Sequence, residues 1–281
     1  MKQINLLFVT VFLGLNTYSQ NKNDLQKDAL KGQVKSTTET VYNIVDGQKG
    51  GVYSKNITIY NAGGKRLEKV RYGSDGSLKS KYTYRYDDIG NQIEELYTLA
   101  DGKQSSKINY TFNDKGQVIK SEHYGPNNEY FVYGVLDRTD ITYNEQGKPI
   151  KIYNHSGDAN WNRHVLKSSN LTYDAKGNMI AKIDTIDDGK QIEKFTYTYD
   201  DNGNMISSAE FMEDGTPNGQ ETFKYDAQGN MIERNSFNGD GSQYAHIVTT
   251  YQYDKTGNWL IKSSVKNDKL SLYSDMVIEY F

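Results

Sequence analysis

The sequence predicts an all-β protein: an antiparallel β-meander of tandem hairpin repeats, about 26 residues each, forming one strongly curved or coiled sheet. Three observations predict it. A pattern written Y-x-Y-D-x-x-G-N-x-I occupies Tyr84–Ile93 and returns nearly unchanged at Tyr197–Ile206 and Phe223–Ile232. Looser copies run over Tyr110–Ile119, Ile141–Ile150, Leu171–Ile180 and Tyr251–Leu260, with a degraded one ending Tyr60–Leu67. The marker glycines of these copies, Gly64, Gly90, Gly116, Gly147, Gly177, Gly203, Gly229 and Gly257, lie 26 to 31 residues apart. Finally, rings alternate with polar residues ahead of each marker, as in Tyr82-Thr83-Tyr84-Arg85-Tyr86 and Phe195-Thr196-Tyr197-Thr198-Tyr199. Period two with one aromatic side describes a strand with one buried face.

Taken in order, residues 1–19 read as an export signal peptide: Lys2, an apolar run from Ile4 to Leu15, and small residues at Thr17 and Ser19 before the cleavage point. The run is shorter than the roughly 20 residues a membrane-spanning helix needs. Residues 20–29 form a polar leader, and the repeat domain covers 30–281. It opens on Leu30-Lys31-Gly32-Gln33-Val34-Lys35-Ser36, which matches the second half of a unit (compare Gly116-Gln117-Val118-Ile119-Lys120-Ser121). Within a unit, Asp after the aromatic strand accepts a hydrogen bond from the backbone ahead of it, and Gly takes the positive-φ position that reverses the chain. The return strand carries Ile93, Ile180, Ile206 or Ile232. A second turn closes the unit at Asp46-Gly47, Asp75-Gly76, Asp101-Gly102, Asp188-Gly189, Asp214-Gly215 or Asp240-Gly241, a strong tight-hairpin signal. Two strands per unit give about sixteen to eighteen in all. Pro126, Pro149 and Pro217 fall at turns or strand starts, where a missing N–H does least harm. Val277–Phe281 reads as a last strand closing the far edge, and no helix signal follows residue 31.

Composition narrows the function. The chain has 281 residues, 36% hydrophobic and 12% aromatic with 24 Tyr, so its core is built from rings. A net charge of −3 with both signs interspersed provides no basic stripe for nucleic acid. The absence of cysteine removes disulfides, thiol catalysis and thiolate metal sites together, and excludes lipidation of a mature N-terminal cysteine.

The repeated Y-x-Y-D-x-x-G-N/R-x-I/L motif, seen at Tyr199-Asp200-Asp201-Asn202-Gly203-Asn204-Met205-Ile206 and its sister copies, resembles the signature of the YD-repeat (RHS-type) family. The similarity runs over nearly the whole repeat domain. It implies a secreted or surface-displayed bacterial repeat protein, and carries carbohydrate binding as a suggestion. Large family members coil their hairpins into a hollow shell around a toxin. This chain is too short for that, lacks the core signature that precedes the toxin, and carries no toxin after it, so shell and delivery functions do not transfer. The opening L-K-G-Q-V-K-S looks like that of short secreted members.

No catalytic set stands out. His123, His155, His164 and His246 share no metal-ligand or triad spacing, and no phosphate loop, zinc motif or nucleophile elbow is present. Asp200–Asn204 looks superficially like a calcium loop but lacks its alternation and distal Glu, which leaves turn chemistry. The pattern breaks in the two central units, which carry extra residues around Gly125–Asp137 and Asn154–His164. Insertions on a repeat scaffold project and bind, and Trp and Arg are common interface anchors. The candidate binding residues are therefore Trp161, Arg163, His164, His155, Tyr130 and Tyr133, with no catalytic or metal-binding residue. The expected function is a secreted or periplasmic non-enzymatic binding or adhesion protein. Its ligand is a glycan or an extracellular or envelope protein, with no cofactor, no nucleic acid and no membrane insertion after signal cleavage. The alternative is a structural or immunity-type interaction protein that pairs with one protein partner through an exposed strand edge.

Overall fold

The computed structural model describes residues 23–126, 133–157, 163–186 and 189–281. The stretch read as an export signal, residues 1–19, lies outside them. After a helical turn α1 (Asp24–Lys27), the first nine strands are β1 (Val34–Val45), β2 (Gln48–Tyr60), β3 (Arg66–Gly73), β4 (Leu78–Tyr86), β5 (Gln92–Leu99), β6 (Gln104–Phe112), β7 (Val118–Pro126), β8 (Tyr133–Tyr143) and β9 (Pro149–Gly157). The second nine are β10 (Arg163–Tyr173), β11 (Met179–Thr185), β12 (Gln191–Tyr199), β13 (Met205–Met212), β14 (Pro217–Tyr225), β15 (Met231–Asn238), β16 (Gln243–Tyr253), β17 (Trp259–Lys266) and β18 (Lys269–Tyr280).

Each strand pairs antiparallel with the next, and β1 pairs with both β2 and β18. The eighteen strands therefore close into a barrel. Of the strongly curved or coiled sheet expected, the antiparallel all-β meander holds and the coiled form is corrected to a closed ring. Sequence periodicity fixes neighbours along the chain, whereas closure depends on the accumulated twist that brings the two ends within bonding distance. With strands about 4.8 Å apart, the ring has a circumference of about 86 Å. Closure also removes the free strand edge on which the alternative reading relied.

The closing pair is itself a repeat unit split between the termini. Within a unit, the aromatic strand pairs with the strand that follows the D-x-x-G turn. Here β18 supplies the first half and β1 the second, with Ile278 opposite Thr37 and Met276 opposite Glu39. Asn258 stitches the seam. Buried at 1% exposure, it accepts from Lys31 N at 2.7 Å, donates through Nδ2 to Lys31 O at 2.8 Å, and donates to Tyr280 Oη at 2.7 Å.

The repeated motif is accounted for by one geometry. In each D-x-x-G turn the Asp N–H bonds the carbonyl four residues on and the Gly N–H returns to the Asp carbonyl, as in Asp200/Asn204 and Gly203/Asp200. Asn204 adds two side-chain-level bonds, its N–H to Asp200 Oδ1 at 2.8 Å and its Nδ2 to Asp200 Oδ2 at 2.9 Å. Turn chemistry thus occupies the carboxylate of the loop that looks like a calcium site. The tyrosine before Asp reaches across to the preceding unit. Tyr143, Tyr173, Tyr199 and Tyr225 donate to the carbonyls of Val118, Pro149, Met179 and Met205, at 2.6 to 2.9 Å, while Tyr86 shares its one proton between the Arg66 carbonyl and the Asp24 carboxylate. Each acceptor opens its own return strand, so these hydroxyls staple unit to unit, at about 1 kcal/mol apiece.

The second turns differ from the tight hairpins expected of Asp-Gly. At Gly73–Ser77 the Gly73 N–H bonds Ser77 O and the Gly76 N–H bonds Gly73 O, the same pattern as in the first turns. Asp75 sits third, where it accepts from Ser77 N at 3.0 Å. Only Asp46-Gly47, with φ of 51° and 75°, is a two-residue reversal among the described Asp-Gly pairs; Asp188 lies outside the described residues.

Directly opposed residues share a face, and the two faces differ. On one, Thr37, Thr58, Ser80, Ser208, Ser236, Ser264 and Ser274 are buried. On the other, Thr111, Thr142, Thr172, Thr198 and Thr250 are exposed. Side chains converge on the concave side of a ring and shield the short ones, so the first face is the interior. Asp24 and its neighbours pack on it. The Asp24 carboxylate accepts from Arg66 N at 2.8 Å and Tyr86 Oη at 2.6 Å, while Leu25 and Leu30 join Val34, Tyr60 and Met276 in a small apolar cluster. The polar leader thus lies against the strands flanking the seam. An Asn23–Gln26 capping box opens its single helical turn.

Candidate functional site

In the chain, the extra residues of the two longer central units fall around the β7–β8 and β9–β10 connections, part of which lies outside the described residues. Trp161 and Tyr130 lie outside the described residues. Tyr133 begins β8 opposite Pro126, and Arg163 and His164 begin β10 opposite Gly157 and Ser156. His155 is described fully. It lies on the convex wall, opposite Arg138 of β8.

Around His155 the two strands assemble a polar and aromatic patch. Its Nε2 lies 3.0 Å from Asp140 Oδ2, and its ring stacks on Tyr153 with centroids 6.4 Å apart. The other Asp140 oxygen accepts Arg138 Nε at 2.8 Å, and Lys151 Nζ stands 4.7 Å from the centre of the Tyr153 ring. Asp140 therefore holds two flat cationic or potentially cationic groups in fixed orientation. Among the described residues, the imidazole's partners are Asp140 and the Tyr153 ring. The arrangement suits planar polar recognition beside a ring face.

Arg138, Asp140, Tyr153 and Lys151 were absent from the residues singled out in the sequence. The signal for them was present: Arg138-x-Asp140 and Tyr153-x-His155 both have period-two spacing, on strands joined by the Asn144–Gly147 turn. Folding those strands on that turn sets all four on one face.

A second cluster of charge lies on the concave wall. Asp184, fully buried, receives Lys167 Nζ at 2.7 Å, Lys182 Nζ at 2.9 Å and Ser169 Oγ at 2.6 Å. Lys167 also reaches Glu193 at 3.1 Å. Burial works against its charge, yet the hydrogen bond and attraction of Asp184 outweigh it and raise its pKa. Lys182 lies over the Phe195 ring, 4.6 Å from its centre. Glu210, one strand further, has its pKa raised by burial and bonds Asn218 Nδ2 at 2.7 Å. Lys167, Ser169, Lys182 and Asp184 come from the two strands of one unit, and Glu193, Phe195 and Glu210 from the next, at positions the repeat motif does not cover.

With both walls in view, the chain can be set beside known proteins. No family model matches it, and no curated protein does. Among solved structures it is similar to a porin-like protein from Bacteroides uniformis ATCC 8492, at TM-score 0.44 and 13% identity, over 89% of this chain and 98% of that one. A porin-like protein from Bacteroides vulgatus ATCC 8482 gives TM-score 0.41 and 12% identity, over 88% and 99%. A structure of TcdB2-TccC3-Cdc42 gives TM-score 0.21 and 12% identity, over 80% of this chain and 16% of that one. At these values the similarities carry no statement about activity.

Proposed function

We propose that this chain is a short YD-repeat protein, exported and working in water, that binds a glycan or a surface protein without catalysing a reaction. The observation that carries the reading is the convex patch of Arg138, Asp140, Tyr153 and His155, which joins a ring face to oriented polar groups on β8 and β9, between the two longer central connections. Half-buried side chains held by one another keep their geometry before a ligand arrives, which lowers the ordering cost of binding.

The distribution of charge supports an aqueous setting. A transmembrane barrel presents an apolar band to lipid. Here the convex wall carries Lys55, Arg85, Lys151, Lys194 and Lys224, and the concave wall carries Lys69, Lys167, Asp184, Glu210 and Arg234, so among the described residues charge interrupts both walls. Glycan arrays and pull-downs from envelope extracts, with wild type and Tyr153→Ala, His155→Ala and Trp161→Ala, test the proposal. Retention is expected for wild type and loss for the variants. Equal retention by all four proteins removes the site.

A further inference from the structure

The barrel interior holds a cavity of about 350 Å³ against strands β15 to β18, on the far side of the wall from the convex patch and distant in sequence from it. Its polar lining is Arg234, Lys262, Thr249, Ser264 and Ser271, and its apolar lining includes Ile247 and Leu272. Cross-strand pairing places these groups together: Arg234 opposes Ile247, Thr249 opposes Ser264, and Ser264 opposes Leu272.

The charge is unbalanced. Arg234 is only 14% exposed, and its buried Nε has no hydrogen-bond partner; the Glu221 carboxylate stands 3.6 Å away, beyond bonding distance. Glu221 is itself buried and accepts from Ser236 Oγ at 2.9 Å. Lys262, between Tyr251 and Ser274 across the neighbouring strands, meets no carboxylate among the described residues, and its Nζ stands 6.0 Å from the centre of the Tyr251 ring. Glu233 also borders the cavity, but Lys224 at 2.8 Å and Asn235 at 3.0 Å hold its carboxylate. Two cations thus face one carboxylate, which leaves an excess positive charge beside a buried, unsatisfied N–H donor. A buried donor whose ion-pair partner stands beyond hydrogen-bond distance is costly, and an acceptor that reaches it relieves that cost.

From this geometry we propose that the cavity binds a carboxylate-bearing sugar, a uronic acid unit of an acidic glycan. The carboxylate meets Arg234 and Lys262. The ring hydroxyls meet Thr249, Ser264 and Ser271, of which Thr249 and Ser264 already bond each other at 2.9 Å and keep a free lone pair or proton between them. The apolar side of the pyranose lies on Ile247 and Leu272, with the Tyr251 ring beside it. The volume suits one such unit, at the lower end of small-ligand sites. This proposal is independent of the convex patch, which either result below leaves in place.

Calorimetric titration of the full mature protein at low ionic strength, with glucuronate, galacturonate, glucose and sulfate as probes, tests it. Saturable uronate binding is expected, with glucose weaker by about tenfold or more, as charge-assisted bonds require. Lys262→Gln, a half-buried position where folding is preserved, should weaken uronate by about tenfold, and Arg234→Lys should weaken it further because the planar fork is lost. A thermal melt matching wild type confirms that Lys262→Gln is folded. Absence of uronate binding, equal binding by Lys262→Gln, or sulfate binding as tightly as uronate would each overturn the assignment.

Discussion

Replacing Asn258 by Ala tests the reading of the barrel seam. The substitution removes three hydrogen bonds to groups on the two chain ends: the Lys31 N–H and C=O, and the Tyr280 hydroxyl. Both Lys31 groups are left without their partner in a half-buried setting, and an orphaned group costs about 1–3 kcal/mol where a satisfied bond contributes about 1. The expected loss is therefore about 3–4 kcal/mol in urea unfolding, read as a lower midpoint at unchanged slope. The control is Asn204→Ala, the equivalent position in an unbroken unit. There the side chain bonds only Asp200 of its own turn, at 2.9 Å, and about 1 kcal/mol is expected. Amide exchange should quicken selectively in β1 and β18 for the seam variant. Equal losses for the two variants, with exchange unchanged at the seam, would refute the idea that the split unit is closed by this residue.

Asp184→Ala leaves Lys167 and Lys182 without their shared carboxylate, one of them almost wholly buried, and should cost about 3–5 kcal/mol; a loss below about 1 would show that water reaches the pair. Gly239→Ala would place a Cβ 2.1 Å from the Pro217 carbonyl oxygen, where only backbone can move, and a loss of about 2 kcal/mol is expected by thermal melt. Acid should weaken the barrel. The turn aspartates are held below their ordinary value, Asp75 down to about 2 by the Ser77 hydroxyl and N–H, while Asp24 resists the upward push of burial through Tyr86 and the Arg66 N–H. A lowered folded pKa gives stability that is complete above about pH 4 and is lost as pH falls toward 2. Glu95 and Glu210, raised by burial, act in the opposite sense but are few beside the turn carboxylates. A melting temperature that stays level or rises from pH 4 to pH 2 would contradict the balance.

The sequence by itself determined the strands, their order and their turns, because each of those depends on a few adjacent residues. Alternation at Tyr82-Tyr84-Tyr86 set a buried face, Gly at each marker set a reversal, and Leu30–Ser36 already carried half a unit whose complement is Val277–Phe281. His155 was legible as a candidate because it sits where the period breaks. Tertiary structure alone decided that the ribbon closes, since closure sums small twists over eighteen strands and no single residue encodes it. It also decided which side chains of neighbouring strands meet on one wall: the Asp184 cluster and the Arg234–Lys262 cavity join residues that are ordinary in their own repeats. Their chemistry arises only from being brought side by side.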